Sequence, residues 1–444
     1  MTARTTPDRD DRLTAEELRI AWPLLAAEER AASLQTTPRD EAEDVFLAVP
    51  ASDQAGIILE LPLEERRSWM RLLPPDDAAD VIQEAPGEER DGLLTLLDDQ
   101  TRREVTALLA YAEDRAGGLM NPRYARLRPD ITVDEAISYL RRQARDVLES
   151  IYYAYAIDDD QVLKGVVSFR ELFAADPVLR VRDVMQTDMI VAREDQDQEV
   201  LSRLFDEHKL IAIPVVDAGG RMKGIVTVDD IVDVVREETT EDIQKIGGTE
   251  ALDAPYLSIG LPAMIRKRVG WLAALFISEM LTTTAMSRFE SEISRAVVLA
   301  VFVPLIISGG GNSGSQSSTL VIRAMVLGEV RLRDWWLVIR REMITGLSMG
   351  LILGAIAFSR VELWQVLFHS YGVHHLLVAS TIAGSVIGVV TWGSLSGSML
   401  PFLLRRFGLD PATASAPFVA TLVDVTGIVI YFTVASVILR GTLL

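Results

Sequence analysis

Hydrophobic residues recur along this chain in three rhythms, and each rhythm predicts a different kind of structure. From about residue 270 onward they form five long runs: Gly270 to Met286, Ala296 to Val326, Trp335 to Phe358, Leu376 to Leu404 and Ala416 to Leu439. As a helix, each is long enough to cross roughly 30 Å of hydrocarbon. Between residues 13 and about 115 the apolar positions instead repeat every twelve residues, with Val49, Leu61, Leu73, Ala85 and Leu97 in one register and Pro38, Pro50, Pro62, Pro74 and Pro86 in another. Each proline precedes acids and then a helical apolar segment, as in LPLEERRSWMRLL and LPPDDAADVIQEA. Proline suits the first turn of a helix, where its missing N–H has no intrahelical partner anyway. The period therefore predicts an acid-rich superhelix of short helices, each with its proline in the first turn.

The third rhythm occurs twice. GGLMNPRYARLRPDITVDEAISYLRR is echoed by VRDVMQTDMIVAREDQDQEVLSRLFDE, which sets Met120 against Met185. YYAYAIDDDQVLKGVVSFREL is echoed by IAIPVVDAGGRMKGIVTVDDIV, which sets Gly165 against Gly224. Each copy reads as strand, helix, strand, glycine turn, strand, helix. This pattern resembles a tandem pair of cystathionine-β-synthase (CBS) domains, at about 116–180 and 181–235, a module that senses adenine nucleotides or ions. The second copy carries Thr227 and Asp230 at the spacing used on a ribose, and the first carries Ser168 and Glu171. The same residue types cap helices, so nucleotide binding and plain capping both stay open.

Charge separates the halves. Residues 1–256 hold 55 of the 64 acids and 30 of the 44 bases, and the remainder holds 9 acids and 14 bases, so a net charge of −20 combines a −25 part with a +5 part. With no cysteine, disulfides and thiolate metal sites are excluded. The four histidines are too scattered for a zinc site. The polar N-terminus, read as a disordered tail over 1–12, has no signal-peptide pattern. Basic residues cluster before the first run (Arg266, Lys267, Arg268), between the second and third (Arg323, Arg331, Arg333, Arg340, Arg341) and after the fourth (Arg405, Arg406). The positive-inside rule then puts the N-terminal half in the cytosol and the C-terminus outside. A segment at 236–262 links the halves, and there Glu238, Glu241 and Asp242 share one helical face. They repel one another unless a cation sits among them.

Ionisable residues inside spans are costly and mark polar pathways. Asp424, with Thr421 and Thr426 beside it, and Glu279 have no basic residue within their runs. The second run is interrupted by SGGGNSGSQSST, which predicts either a small-residue seam between helices or irregular backbone lining a cavity. Asn312 and Gln316 are carboxamides four residues apart. A hard cation that gives up water reluctantly, as magnesium does, asks for such oxygen donors, and Asp424, Asn312, Gln316 and Thr421 supply them. No nucleophile–base pair or phosphate loop that would indicate an enzyme is apparent.

Taken together, the chain resembles the MgtE family of magnesium channels and transporters over nearly its whole length. The motifs that carry the resemblance are AGGLM at 116–120, TVDDIVDVV leading into TEDI at 240–243, GGNSGSQS at 310–317, and LPFLLRRFGLDPA continuing to PFVATLVDVTG. The resemblance implies a multidomain chain: an all-α cytosolic superhelix (13–115), an α/β CBS pair (116–235), a plug helix (236–262) and a five-span α-helical membrane domain (263–444). It implies a homodimer in the inner membrane, among lipids and without nucleic acid, in which Asp424 from both subunits holds hydrated Mg2+. It implies regulatory Mg2+ held by Asp197, Glu199 and Asp410, and by Asp230, Glu238, Glu241 and Asp242 around the plug helix. Asp76 and Asp80 join these in the superhelix, and Asp44 stands where a glutamate is familiar. Lys209 stands where the family can have an acid, Ser315 replaces a frequent asparagine, and Ala416 a frequent polar residue. ATP binding would fall near Tyr153, Ser168, Arg170 and Glu171. The alternative from the residues alone is a carrier that is proton-coupled or that takes a broader set of divalent ions (Co2+, Ni2+, Mn2+).

Overall fold

The structure is a computed structural model that describes residues 14–143, 150–252, 256 and 259–443, so the tail expected at 1–12 lies outside the described residues. The chain divides into two compact units, one ending at Glu237 and one beginning at Glu238.

The first unit opens with eight short helices: α1 (Ala15–Ala21), α2 (Ala27–Thr36), α3 (Arg39–Leu47), α4 (Ala51–Glu60), α5 (Leu63–Met70), α6 (Pro75–Glu84), α7 (Gly87–Leu96) and α8 (Asp99–Leu108). From α2 onward each begins twelve residues after the last, as the period predicts. The repeated prolines, however, stand one residue ahead of the first turn. Pro38, Pro50, Pro62, Pro74 and Pro86 are N-caps with φ between −57° and −51° and extended ψ, and Pro75 alone is inside a first turn. An N-cap needs an extended residue whose carbonyl accepts the first helical bond. Proline meets both demands, and Ala42, Gln54 and Ala78 donate to the carbonyls of Pro38, Pro50 and Pro74 at 2.9–3.0 Å. The residue before each cap turns inward, so Leu61, Leu73, Ala85 and Leu97 are buried. Arginines fasten successive steps: Arg66 donates to the carbonyls of Leu59 and Leu61, and Arg102 to those of Leu94 and Leu97.

After α9 (Ala116–Leu119) come two copies of one α/β unit. The first comprises β1 (Tyr124–Leu127), α10 (Val133–Gln143), β2 (Ser150–Ile157), β3 (Leu163–Ser168) and α11 (Phe169–Ala174). The second comprises α12 (Val181–Val184), β4 (Ala192–Arg193), α13 (Gln198–His208), β5 (Ala212–Val216), β6 (Met222–Thr227) and α14 (Val228–Ile246). Each sheet has three strands, with the first pair parallel and the second antiparallel. Gly165 and Gly224 lie inside β3 and β6 rather than in the turns. A Cβ on Gly165 would stand 2.7 Å from Met185 Sδ, and one on Gly224 2.7 Å from the Asn121 carbonyl. The glycines thus admit a segment from the opposite copy. Gln186 pairs with Val166, and Asn121 pairs with Ile225. The core of the second copy is continuous with that of the superhelix through Leu201, Phe205, Val226 and Ile231. The boundary expected near 235 falls within one uninterrupted helix, α14, which ends where Gly248 takes a φ of +76°.

The second unit holds α15 (Leu261–Arg288), α16 (Glu290–Arg295), α17 (Val297–Val326), α18 (Trp335–Phe368), α19 (His375–Arg406) and α20 (Ala416–Ile438). All but α16 are long and apolar enough to cross a membrane. The SGGGNSGSQSST stretch does not break its span; it lies wholly within α17. In hydrocarbon every backbone group is best satisfied within its own helix, and the small residues serve for contact. Gly310 and Gly314 face Gly393 and Gly397 of α19, and a Cβ on either of the latter would land directly on the carbonyl of Gly310 or Gly314. The serines among and after these glycines tie neighbouring elements: Ser313 Oγ to Ser394 Oγ at 2.6 Å, Ser317 Oγ to Glu342 at 2.7 Å and Ser318 Oγ to the Ala414 carbonyl at 2.9 Å. Gly397→Ala is therefore expected to lower the melting temperature and membrane yield of the full chain markedly, because backbone must move. Gly384→Ala, whose added methyl meets Val434 Cγ1 at an ordinary 3.6 Å, should leave both within error of the parent.

Candidate functional site

The candidate ion ligands of the membrane unit fall in two places. Asp424 is the one charged residue of α20 and stands about 12 Å of helix rise beyond its first residue, Ala416. It is half-buried, and it faces the bare backbone of Gly311, where an added Cβ would come 3.9 Å from Asp424 Oδ1. Thr421 is buried and bonds its own helix through the Pro417 carbonyl at 3.0 Å, and Thr426 accepts a hydrogen bond from Trp392 Nε1 at 2.8 Å.

Asn312 and Gln316 line the second place, a cavity of about 400 Å3 between α17, α18 and α19, with Ser308, Ser313, Met349, Leu353 and Val390 in its wall. Asn312 Nδ2 lies 3.4 Å from Ser308 Oγ. The structure therefore puts Asp424 against Gly311 and the two carboxamides on the adjoining wall of α17, so the four expected donors do not meet at one point within a single chain. Ser315 and Ala416, both departures from the expected pattern, meet each other through a 3.1 Å hydrogen bond.

The first unit assembles a carboxylate surface that the sequence only half disclosed. Asp77 and Asp80 of α6 face Asp229, Asp230 and Asp233 of α14, with Glu113 and Glu237 also within electrostatic range. Burial, and then the charges of Asp77, Asp230, Glu113 and Glu237, push the Asp80 carboxyl up to about 8. Burial with Asp229 and Asp233 puts Asp77 at about 6. Burial raises Asp230 to about 7 although the Thr227 hydroxyl and amide both bond it. Asp76 points elsewhere: it is buried and accepts a hydrogen bond from Asn121 Nδ2 at 2.9 Å. Asp77, at i−3 from Asp80, and Asp233 and Glu237, one and two turns beyond Asp230, were legible by helical spacing alone.

Other expected ligands already have partners. Asp197 caps α13 by accepting from the Glu199 amide at 3.0 Å and pairs with Arg115 at 3.4 Å, while Glu199 is in the exposed first turn. Asp44 is exposed on α3. Lys209 closes α13 in the left-handed region at φ 52° and pairs with Asp206 at 2.6 Å. In the second unit the cation that the Glu238–Glu241–Asp242 face calls for is Lys245, whose Nζ lies 2.5 Å from Glu241 and 2.7 Å from Asp410. Burial opposes that ammonium, but its bonds to Asp410 and Glu241 outweigh it and hold the pKa above the usual lysine value. Burial and the Asp410 charge raise Asp242 to about 6. The place of Lys245 four residues after Glu241 was the available signal in the sequence. Among the described residues no three carboxylate or imidazole groups converge tightly enough to hold a bare ion.

On the first CBS copy, Tyr153 pairs with Ser168 across β2 and β3, and exposed Arg170 and half-buried Glu171 follow in α11. Ser168 and Glu171 form a capping box, with Ser168 Oγ 2.8 Å from Glu171 Oε2, and Gln186 Nε2 donates to Glu171 at 2.6 Å. Ser168 and Glu171 thus cap α11 here.

Because folded Asp77, Asp80 and Asp230 bind protons more tightly than the unfolded value of 3.8, this unit loses stability as pH rises from about 4 through 8. Asp80→Asn should raise the metal-free melting temperature of the full chain at pH 8, by about 2–4 °C per kcal/mol of repulsion relieved. It should also shrink the further rise on adding Mg2+; calorimetry with and without Mg2+ measures both.

Comparison with known proteins parallels this division. Residues 16–114 match the family described as MgtE intracellular N domain, 116–177 and 181–237 the CBS domain, and 303–434 the family described as Divalent cation transporter. The magnesium transporter MgtE of Thermus thermophilus is 44% identical over 346 residues, 78% of this chain and 75% of that protein. The magnesium transporter MgtE of Enterococcus faecalis is 33% identical, over 76% of this chain and 72% of its own. Among solved structures, the cytosolic domain of the Mg2+ channel MgtE in complex with ATP is 40% identical, covering 50% of this chain and 91% of that one with a TM-score of 0.47.

Proposed function

The chain belongs to the MgtE family of magnesium transporters, and from that premise we propose that it imports Mg2+ across the inner membrane through a path on which Asp424 is the principal ligand. The observation that carries this reading is a half-buried carboxylate in the middle of a 23-residue span that has no basic residue, facing the bare backbone of Gly311. Such a charge is costly in hydrocarbon unless a cation or water shares its site. Magnesium keeps most of its water, so ligands standing apart, as Asp424 and the Asn312–Gln316 wall do, suit a hydrated ion. The chain acts as a homodimer, a second copy bringing a second Asp424 to the path. The basic clusters flanking the spans orient it with the N-terminal half in the cytosol and the C-terminus outside.

Cytosolic Mg2+ closes the path. The crowded acids of α6 and α14, and the Glu238–Glu241–Asp242 face near Asp410, repel when the ion is scarce and are bridged through its waters when it is abundant. The bridged arrangement binds the ion better and is populated by it. Asp44, Asp76, Asp197 and Glu199 belong to this regulatory set, and Asp76 and Asp197 would have to leave Asn121 and Arg115 to take part. ATP binds at Tyr153, Ser168, Arg170 and Glu171, where a ribose would take over the hydroxyl–carboxylate pair that now caps α11.

Asp424→Ala is expected to abolish Mg2+ uptake in a magnesium-requiring strain with membrane yield unchanged; normal growth of that strain would overturn the assignment. Flux that followed pH with no divalent ion present would point instead to proton coupling. Neutralising Glu238, Glu241 and Asp242 together should leave flux open at millimolar internal Mg2+, as patch recording would show, whereas unaltered inhibition would mean this face is merely solvated.

A further inference from the structure

Glu279 is an acid in the membrane unit to which the proposed function assigns no role. It lies in the middle of α15, a span otherwise made of apolar and small polar residues between Arg268 and Arg288. A carboxylate there needs a reason.

The docking of α15 on α20 supplies one. Near the start of both helices Trp271 packs on Phe418 with ring centroids 5.9 Å apart and donates to Ser415 Oγ at 3.2 Å. Near their far ends Phe289 stacks on Phe432 at 5.0 Å. The two contacts come in the same order along both chains, so the helices run parallel and their levels can be matched. Glu279 lies about 12 Å of helix rise beyond Trp271, and Asp424 about 9 Å beyond Phe418. Counted back from the second contact, they lie about 15 and about 12 Å short of Phe289 and Phe432. From either end the two carboxylates stand within one helical turn of the same depth. Trp271 and Phe289 are a whole number of turns apart and mark the contact line, and Glu279 stands about 80° round from it, on the flank of the contact. Both carboxylates are half-buried. One turn beyond Glu279 and close to the same line, Thr282 Oγ1 is buried without a hydrogen-bond partner among the described residues.

We propose that Glu279 is a second carboxylate of the cation path, acting with Asp424 on one hydrated Mg2+ and setting how tightly the path holds it. Two carboxylates at one level repel in a medium of low dielectric, and together they carry the charge of one dication, so the ion removes the repulsion as it enters. A monovalent ion neutralises half of that charge, and the pair therefore favours divalent over monovalent cations. Glu279 acts at longer range than Asp424, through the ion's water, and its contribution is to affinity rather than to the existence of the path.

This inference rests on Asp424 as the principal ligand, and the test separates the two. Mg2+ uptake against external Mg2+ is measured in membranes carrying the full-length parent, Glu279→Gln, Glu279→Asp and Asp424→Ala. Glu279→Gln removes the charge and keeps the size; it should raise the half-saturating Mg2+ concentration about fivefold, as expected for one charge acting on a dication across a hydrated gap. Maximal flux and membrane yield should change little, and Glu279→Asp should restore most of the affinity. If Glu279→Gln does not accumulate, Glu279→Ser, shorter and equally uncharged, supplies the same reading. An unshifted half-saturation in whichever neutral variant accumulates overturns the role of Glu279. So does a fall in maximal flux alone, which is what a packing role would give. If Asp424→Ala transports normally, the assignment of Asp424 fails, and the role of Glu279 fails with it. If Asp424→Ala is inactive while neutral Glu279 variants match the parent, only the present inference is lost.

Discussion

Carboxylates that cannot move away from one another are the constraint on which the rest of this molecule depends. In water a crowd of acids separates or is screened within a Debye length. Here Asp77, Asp80 and Asp230 are held on two helices packed into one continuous core, and burial denies them the solvent that would weaken their repulsion. The cost appears as carboxyl groups that hold protons well into the neutral range. A small hard cation placed among such charges would relieve that repulsion, which is why the proposed regulation is assigned to them. Asp424 poses the same problem in a medium where the penalty is larger and where the apolar α20 supplies no counter-charge.

The scaffolds that impose this crowding are built from local chemistry. In the superhelix each proline cap leaves room for acids at the next two or three positions, where a helix N-terminus favours negative charge. The caps recur every twelve residues and the helices pack side by side, so the acids recur as well. In the membrane unit the corresponding device is the mutual approach of Gly310 and Gly314 with Gly393 and Gly397. That contact draws α17 against α19, and the hydroxyls of Ser313, Ser317 and Ser318 secure it to α19, α18 and the segment before α20. The polar composition of the motif is thus mostly spent on holding helices together. Asn312 and Gln316 are the members that face a cavity.

Several acids that could hold an ion are already answered from within the chain. Asp197 has Arg115, Asp76 has Asn121, and Asp410 shares Lys245 with Glu241. Lys245 matters most, since it fastens the end of α14 to the loop before α20 without any metal. A cation added to that face would compete with an ammonium that Glu241 and Asp410 already hold.

The sequence by itself determined whatever depends on spacing along one element. The twelve-residue period specifies the helix starts, the duplicated strand–helix pattern specifies two small sheets, and five apolar runs specify five spans to within a few residues at most of their ends. Asp424 was legible because hydrophobicity around a lone carboxylate is a local signal. Tertiary structure decided what depends on elements far apart in the chain. No pattern within α17 says whether its glycines break the helix or seat a neighbour; that required Gly393 and Gly397 to arrive about 80 residues later. Nothing within α6 says that Asp77 and Asp80 look toward α14 while Asp76 turns inward to Asn121, because adjacent helical residues diverge by about 100°. Glu279 shows the same limit. In sequence it is an isolated acid, and it comes to the depth of Asp424 only when Trp271 and Phe289 dock α15 along α20, since charge acts through space and periodicity only along the chain.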